Sequence, residues 1–364
     1  MPSPKPKPTP IFDGHNDVLL RLHLHGGAEA VTAFLNGEDK GQLDLVKARQ
    51  GGFAGGLFAI FVPSPKRKER AEGQAPAQAP DSVIGNDPAP PAVDIAEAQR
   101  VVFAMAALLL RIERESQGRL RVCRTSGDIE SAIADDALAA VLHIEGAEAI
   151  DANLDLLDVL HAAGLRSLGP VWSRPNIFGH GVPFRCPSSP DTGPGLTDVG
   201  KALVRACNGL RILIDLSHLN ERGFWDVAEL SDAPLVATHS NAHALSPHSR
   251  NLTDRQLAAI RETGGMVGVN FAVSFLRPDG RHDKDTPIEL IIRHLDHLIE
   301  HLGEDGVGFG SDFDGAMIPA ELGSAAGLQI LVQAMKKHGF GKALIEKICF
   351  RNWLRVLGRT WGAP

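Results

Sequence analysis

A chain of 364 residues, 43% of them hydrophobic, has the material for one large core or two smaller domains. Its formal net charge of −7 argues against a general nucleic-acid-binding or membrane-surface role, and no apolar run is long enough to span a bilayer. The four cysteines, Cys123, Cys186, Cys207 and Cys349, lack C-x-x-C spacing. That argues against a disulfide scaffold or a cysteine-type zinc module and for reduced thiols in a cytoplasmic protein.

The chain opens on MPSPKPKPTP, where proline alternates with lysine and nothing has the form of a signal peptide or anchor. Residues 1–9 read as a disordered leader and 10–364 as a single domain. Short aliphatic runs predict strands at 10–14, 53–61, 139–144, 166–171, 211–216, 234–238, 265–270 and 306–310. Helical patterns lie between them near 42–50, 93–115, 126–134, 153–163, 197–208, 221–230, 253–263 and 286–302. Eight strands with interleaved helices are the signature of an α/β fold of the (β/α)8 TIM-barrel type. Further helical patterns over 324–361 suit packing on the barrel's outside or across its base. A doubly wound open sheet is the alternative, but such a sheet gathers its ligands at one switch point.

Two inserts stand out. Residues 63–92 are rich in proline and alanine with a basic knot at Lys66–Arg70, and read as a loop, partly mobile or acting as a lid. Residues 173–196, rich in glycine and proline, follow the fourth predicted strand.

Several apolar runs end on a side chain of metal-ligand type. His15 and Asp17 close PIFDGHND, Glu145 closes AAVLHIEG, His218 closes RILIDLSH, His239 closes PLVATHS and Asp312 closes GVGFGSDFDG. In a closed parallel barrel the C-terminal strand ends converge on one rim. His15 and Asp17, two apart on an extended strand end, point to one face and offer an imidazole with a carboxylate, a pair suited to Zn²⁺ or a similar ion. The competing reading makes Asp17 the cap of a helix at VLLRLH and His15 incidental. Glu145 is a ligand able to bridge two ions, or else a surface turn residue. His143, one layer deeper, is a supporting or core residue. His218 and His239 hold matched places on neighbouring strands. Asp312, in a glycine-rich turn, is placed to act as general base and then general acid, with Asp314 in support. Arg250, eleven residues after His239, suits bidentate capture of a substrate carboxylate, against the reading of an ordinary loop arginine.

The segments FDGHNDVLLRL, IEGAEAI, LIDLSHLN, THSNAHALSPHSRNLTD and GVGFGSDFDG, in this order, resemble the membrane (renal) dipeptidase family, metallopeptidases of the amidohydrolase superfamily. The resemblance runs from residue 10 to about 355. It implies two zinc ions per chain, one held by His15, Asp17 and Glu145 and the other by Glu145, His218 and His239, with Glu145 bridging. It further implies that Asp312 shuttles the proton, that Arg250 holds the C-terminal carboxylate of a dipeptide substrate, and that a D-residue is tolerated there. Dimers are common in such a family, and the helices over 324–361 are a candidate homodimer interface. Many members carry a substrate-binding histidine after the fourth strand, where this chain has Trp172. His180, on the loop that follows, is the candidate replacement, with Arg174 behind it. No tyrosine is present, so Phe271 or Phe275 is expected to supply apolar wall. Rival readings are another metal-dependent amidohydrolase, acting on a cyclic amide or lactone, and a catalytically silent metal-binding barrel.

Overall fold

Phe53–Phe61 and Leu138–Glu145 are near-continuous apolar runs, as strands covered on both faces of a parallel sheet must be. The computed structural model describes residues 8–26, 29–64 and 90–362. The expected lid over 63–92 lies outside the described residues at 65–89, and the expected leader lies outside them at 1–7. Thr9 is tied down: its N–H donates to Gln329 Oε1 at 3.2 Å, and Gln329 Nε2 donates to its carbonyl at 3.1 Å.

The strands among the described residues are β1 (Ile11–Asn16), β2 (Phe53–Phe61), β3 (Leu120–Val122), β4 (Leu138–Glu145), β5 (Leu165–Gly169), β6 (Leu213–Ile214), β7 (Val236–Ala237), β8 (Met266–Asn270) and β9 (Val307–Gly310). Eight of them run parallel in the ring order β1, β2, β4, β5, β6, β7, β8, β9, with β9 returning to β1. The seam between β6 and β7 is closed by a bridge from Asp215 to Val236, beside which Leu216 N–H donates to Val236 O at 2.9 Å. This is the (β/α)8 barrel that the pattern predicts. Each of the eight predicted strands overlaps an observed one.

The ninth strand, β3, has no counterpart in the sequence reading. It pairs with Leu138–Ala140 of β4, below the point where β5 takes over from Leu142. Three residues are too few to show a period. Between β1 and β2 the chain also forms helices Val18–His25 and Glu29–Asn36.

The base of the barrel is plugged. Phe12, Leu57, Val141, Leu213, Val236 and Met266 contribute to a buried cluster with Trp353, Val356 and Leu357 of the C-terminal helix Asn352–Trp361. Trp353 is fully buried, and its Nε1–H donates to Phe309 O at 3.0 Å. Of the two placements expected for the C-terminal helices, this one takes the base.

Strand β1 connects that plug to the opposite end. Phe12 joins the base cluster, and a regular strand would turn His15, three residues on, to the other face. The pairing with β2 slips between Asp13 and Asn16, where three steps along β1 match two along β2. This bulge lets both side chains reach the barrel's interior.

Candidate active site

Five strand ends deliver the cluster. Glu145 is the last residue of β4, and its Oε1 lies 2.8 Å from His218 Nε2, 3.3 Å from His239 Nε2 and 3.7 Å from His15 Nε2. The Nε2 atoms of His218 and His239 are 3.0 Å apart. His15 Nε2 is 3.3 Å from Asp17 Oδ2, and donor atoms of His15, Asp17 and Asp312 all fall within 4.8 Å of one another. Five of the six residues are buried, and Asp312 is half-buried. Asp17 combines parts of both sequence readings: it occupies the N-cap position of helix Val18–His25, yet its carboxylate makes no capping bond and turns to His15.

Two members sit on strained backbone. His218 has φ 68° and Asp312 φ 60°, in the left-handed region that non-glycine residues seldom adopt. Asp312 N–H donates to His15 O at 3.0 Å and Asp17 N–H to Phe313 O at 2.7 Å, stitching the exit of β1 to that of β9. Asn270, at the end of β8, donates from Nδ2 to Asp312 Oδ2 at 2.9 Å. A Cβ on Gly315 would collide with Asp17 Oδ2 and Asp312 Oδ1, so glycine there leaves the room in which the two carboxylates meet.

The imidazoles are held from behind. Thr238 donates its hydroxyl proton to Asp215 Oδ2 at 2.6 Å, so its oxygen must accept from His239 Nδ1–H at 2.8 Å. That network assigns His239 the tautomer with a free Nε2 lone pair. His218 Nδ1 is likewise 2.7 Å from Ser173 Oγ. Asp215 also accepts from the N–H groups of Ser217 and Thr238, which fixes its carboxylate. His143 lies deeper, 2.9 Å from Ser167 Oγ and 3.7 Å from Asp215 Oδ2.

Electrostatics shows what the cluster lacks. Burial pushes Glu145 well above the usual carboxylate range, and Asp17 and Asp312 push the same way against His15. Burial raises Asp312 to about 6, with Asp17 adding to it. Burial alone would lower His15, but Glu145 and Asp17 lift it to about 10. Burial also drives His218 and His239 well below the ordinary histidine value, helped by Arg250 at the first and by His15 at the second. Three carboxylates packed with two neutral imidazoles leave lone pairs facing one another with no cation among them except a protonated His15. Hard oxygen and borderline nitrogen donors of this kind fit divalent transition-metal ions.

Arg250 is buried beside this cluster. Its Nη2 donates to His239 O at 3.0 Å and its Nη1 to Ser240 Oγ at 3.2 Å, and its guanidinium lies over the Phe275 ring at 5.4 Å. Its Nε is a buried donor with no hydrogen-bond partner among the described residues. Trp172, Phe184 and Phe275 form an aromatic wall: Trp172 and Phe184 lie with ring centroids 5.9 and 6.2 Å from His218, and Phe184 stacks on Phe275 at 6.0 Å. Phe271 instead packs in the core against Phe309 and Phe313.

His180 is less engaged. Its segment lies against the strand exit that carries His218, with Gly181 bridged to Leu219 and Val182 N–H donating to His218 O at 2.8 Å. The ring of His180 makes no hydrogen bond, ion pair or ring contact with the cluster among the described residues. Arg174, its rival, is fully buried and committed to Glu148, Val62 O and Ser64 at 2.8, 2.6 and 3.0 Å. Asp314 points away, forming an ion pair with Arg21 Nε at 3.0 Å and accepting from Gln42 N–H at 2.6 Å.

Ser173, Thr238, Asp215, Asn270 and Gly315 escaped the sequence reading. A hydroxyl directly before His239 and a carboxylate three residues before His218 were the available signals, but neither differs from ordinary strand-end polarity without coordinates.

A parallel barrel whose rim gathers imidazoles and carboxylates around a carboxylate with a raised pKa defines a metal-dependent hydrolase. The sequence matches the model of the membrane dipeptidase family (peptidase family M19) over residues 6–361, and the chain belongs to that family; it is a metallo-dipeptidase. The structure is similar to that of a Rhodobacter sphaeroides metallo peptidase liganded with a phosphinate mimic of the dipeptide L-Ala-D-Ala, with TM-score 0.91, 56% identity and coverage of 97% of this chain and 100% of that one. It is equally similar to a structure described as dipeptidase AC, a metallo peptidase, with TM-score 0.91, 57% identity and coverage of 98% and 99%. An uncharacterized Klebsiella pneumoniae protein in the pqqA 5′ region is 51% identical over 261 residues, which is 72% of this chain and 96% of that protein. No helix among the described residues is long and apolar enough to cross a membrane.

Proposed function

We propose that this metallo-dipeptidase is a binuclear zinc enzyme that cleaves dipeptides with a free C-terminal carboxylate. His15, Asp17 and Glu145 would hold one ion, and Glu145, His218 and His239 the other. The observation that carries the reading is Glu145 Oε1, which has three imidazole nitrogens within 3.7 Å. Such ions, when bound, polarise a carbonyl and bring the pKa of water toward neutrality.

The chain's own residues supply the rest. Asp312 accepts a proton from the attacking water and returns it to the leaving amine, while Asn270 keeps its other oxygen oriented. The unpartnered Nε of Arg250 gives a substrate carboxylate a buried, charged donor, and a fixed distance from Arg250 to the cluster selects substrates of two residues. His180 donates to the scissile carbonyl, a role supported by the lie of its segment along Leu219 and by the commitment of Arg174 elsewhere. Tolerance of a C-terminal D-residue is supported by the L-Ala-D-Ala mimic held by the Rhodobacter relative.

Metal analysis combined with turnover of L-L and L-D dipeptides, free and C-terminally amidated, tests this reading. Two zinc ions per chain and selective cleavage of the free acids are expected. Protein that binds no divalent metal, or cleaves amidated dipeptides equally well, would refute it. In Asp312→Asn the ions should remain while kcat falls roughly 10²–10⁴-fold, the range for loss of a general acid–base group. Near-parental kcat would remove Asp312 from proton transfer.

A further inference from the structure

A second group of metal-type donors lies outside the barrel mouth. Helix Glu289–Leu302 carries His297 and His301 four residues apart, one turn along the same face. Their rings stack with centroids 4.3 Å apart and planes inclined by 30°. Both present Nε2 to one carboxylate oxygen, Asp254 Oδ1, at 2.8 Å from His297 and 3.9 Å from His301. Asp254 is the first residue of helix Asp254–Glu262, which is fixed by the reciprocal capping box of Thr253 and Gln256.

A hydrogen bond accounts for His297 and Asp254 only. The distance of 3.9 Å to His301 is too long for a second one, yet His301 aims the same nitrogen at the same oxygen. A tetrahedral zinc ion with bonds of about 2.0–2.1 Å keeps its ligand atoms about 3.3–3.4 Å apart. The two distances, 2.8 and 3.9 Å, straddle that spacing, and all three donors lie within 4.8 Å of one another. Small side-chain shifts would seat an ion where the His297–Asp254 hydrogen bond now lies. The donor set is two imidazoles and one carboxylate with a position left for water, a combination that suits Zn²⁺. Side-chain exposures of 16%, 30% and 48% for His297, His301 and Asp254 leave a route in from solvent.

We propose that Asp254, His297 and His301 form a second, surface site for Zn²⁺ that staples the start of helix Asp254–Glu262 to helix Glu289–Leu302. The staple would brace the loop that carries Arg250. That loop ends at Thr253, and Ala242 N–H within it already donates to His294 Nδ1 of the longer helix at 3.2 Å. The site shares no residue with the cluster at the barrel mouth.

The test uses tag-free, full-length enzyme with its active site already loaded, titrated with Zn²⁺ by equilibrium dialysis. One further ion per chain is expected. His301→Ala and Asp254→Asn should each lose that ion while keeping active-site metal and dipeptide turnover. Added Zn²⁺ should also raise the Tm of the parent and leave that of His301→Ala unchanged, as binding to the folded state alone requires. A parent that takes up no further ion, or variants that take up as much as the parent, would overturn the proposal.

Discussion

Asp215 shows how much of this site rests on side chains that never reach a substrate. Its carboxylate accepts from Ser217 N–H, Thr238 N–H and Thr238 Oγ1–H, and through that hydroxyl it sets which nitrogen of His239 carries the proton. Thr238→Val keeps the shape and removes the relay. Metal affinity should fall about 10–100-fold, the usual cost of losing a group that orients a metal-binding histidine, and Thr238→Ser should restore it. Competition with a chromogenic chelator reads this directly; equal affinity in the valine variant would show that the hydroxyl is dispensable. Arg250→Met makes a separate prediction. Charge-assisted bonds contribute about 1.5–3 kcal/mol, so kcat/KM for free dipeptides should drop roughly 10–100-fold, with amidated analogues little affected. Comparable loss on both substrates would mean that Arg250 supports the loop rather than the carboxylate. The ligand-type residues were legible in the sequence because each ends an apolar run with a side chain that strand interiors avoid. Thr238, Ser173 and Asn270 were not legible, because a hydroxyl or amide at a strand end is ordinary and only its partner gives it meaning.

At the level of elements, the crowding of the barrel falls on one carbonyl. A Cβ on Gly14 of β1, Gly268 of β8 or Gly310 of β9 would in each case come within van der Waals contact of Thr238 O. These strands approach the end of β7 so closely that no side chain fits between them, and Thr238 carries the relay to His239. Gly310→Ala should therefore destabilise the fold and also disturb the site. Its new methyl meets Thr238 O and His239 Cα, backbone atoms that cannot rotate away. Overpacking of this kind typically costs about 1–3 kcal/mol, to be measured by urea unfolding, with a parallel loss of metal affinity. Unchanged values for both would show that β7 shifts freely. The eight barrel strands were readable because buried parallel strands need long aliphatic runs, and helices such as Ser126–Ala134 and Glu221–Leu230 were readable from the period of their apolar positions. The bulge in β1 was not readable. The i, i+2 spacing of His15 and Asp17 suggests one extended face, whereas β1 ends at Asn16 and Asp17 already begins a helix.

Across the whole molecule, the metal-type cluster at one end of the barrel is matched by an apolar plug at the other, and between them lies a layer of buried ionisable groups that must answer to pH. His294 isolates that effect best, since both of its ring nitrogens bond to backbone groups rather than to a side chain of the cluster. Its Nε2–H donates to Leu276 O at 3.1 Å and its Nδ1 accepts from Ala242 N–H at 3.2 Å, so a second proton would meet a donor head-on. Burial lowers its pKa from 6.5 to about 4, only partly offset by the bond to Leu276. Below about pH 6.5 the unfolded chain takes up a proton at this position, while the folded chain does not until about pH 4. Stability from this residue is therefore complete above pH 6.5 and drains away as pH falls toward 4. The slope is about 1.4 kcal/mol per pH unit, which sums to the order of 3 kcal/mol across the window. The buried carboxylates work in the opposite sense: Asp13, raised to about 7 chiefly by burial, binds its proton more readily when folded, which favours the fold as pH drops. A bare pH–stability curve mixes these contributions, and the contrast with His294→Gln separates them. Glutamine keeps one donor and one acceptor but cannot ionise. The variant is expected to be less stable than the parent at pH 7.5 and to close that gap by about 1.4 kcal/mol per unit as urea unfolding is repeated at pH 6, 5.5 and 5. A gap that stays constant across this range would mean that His294 titrates alike in both states and that its burial costs the protein nothing in acid.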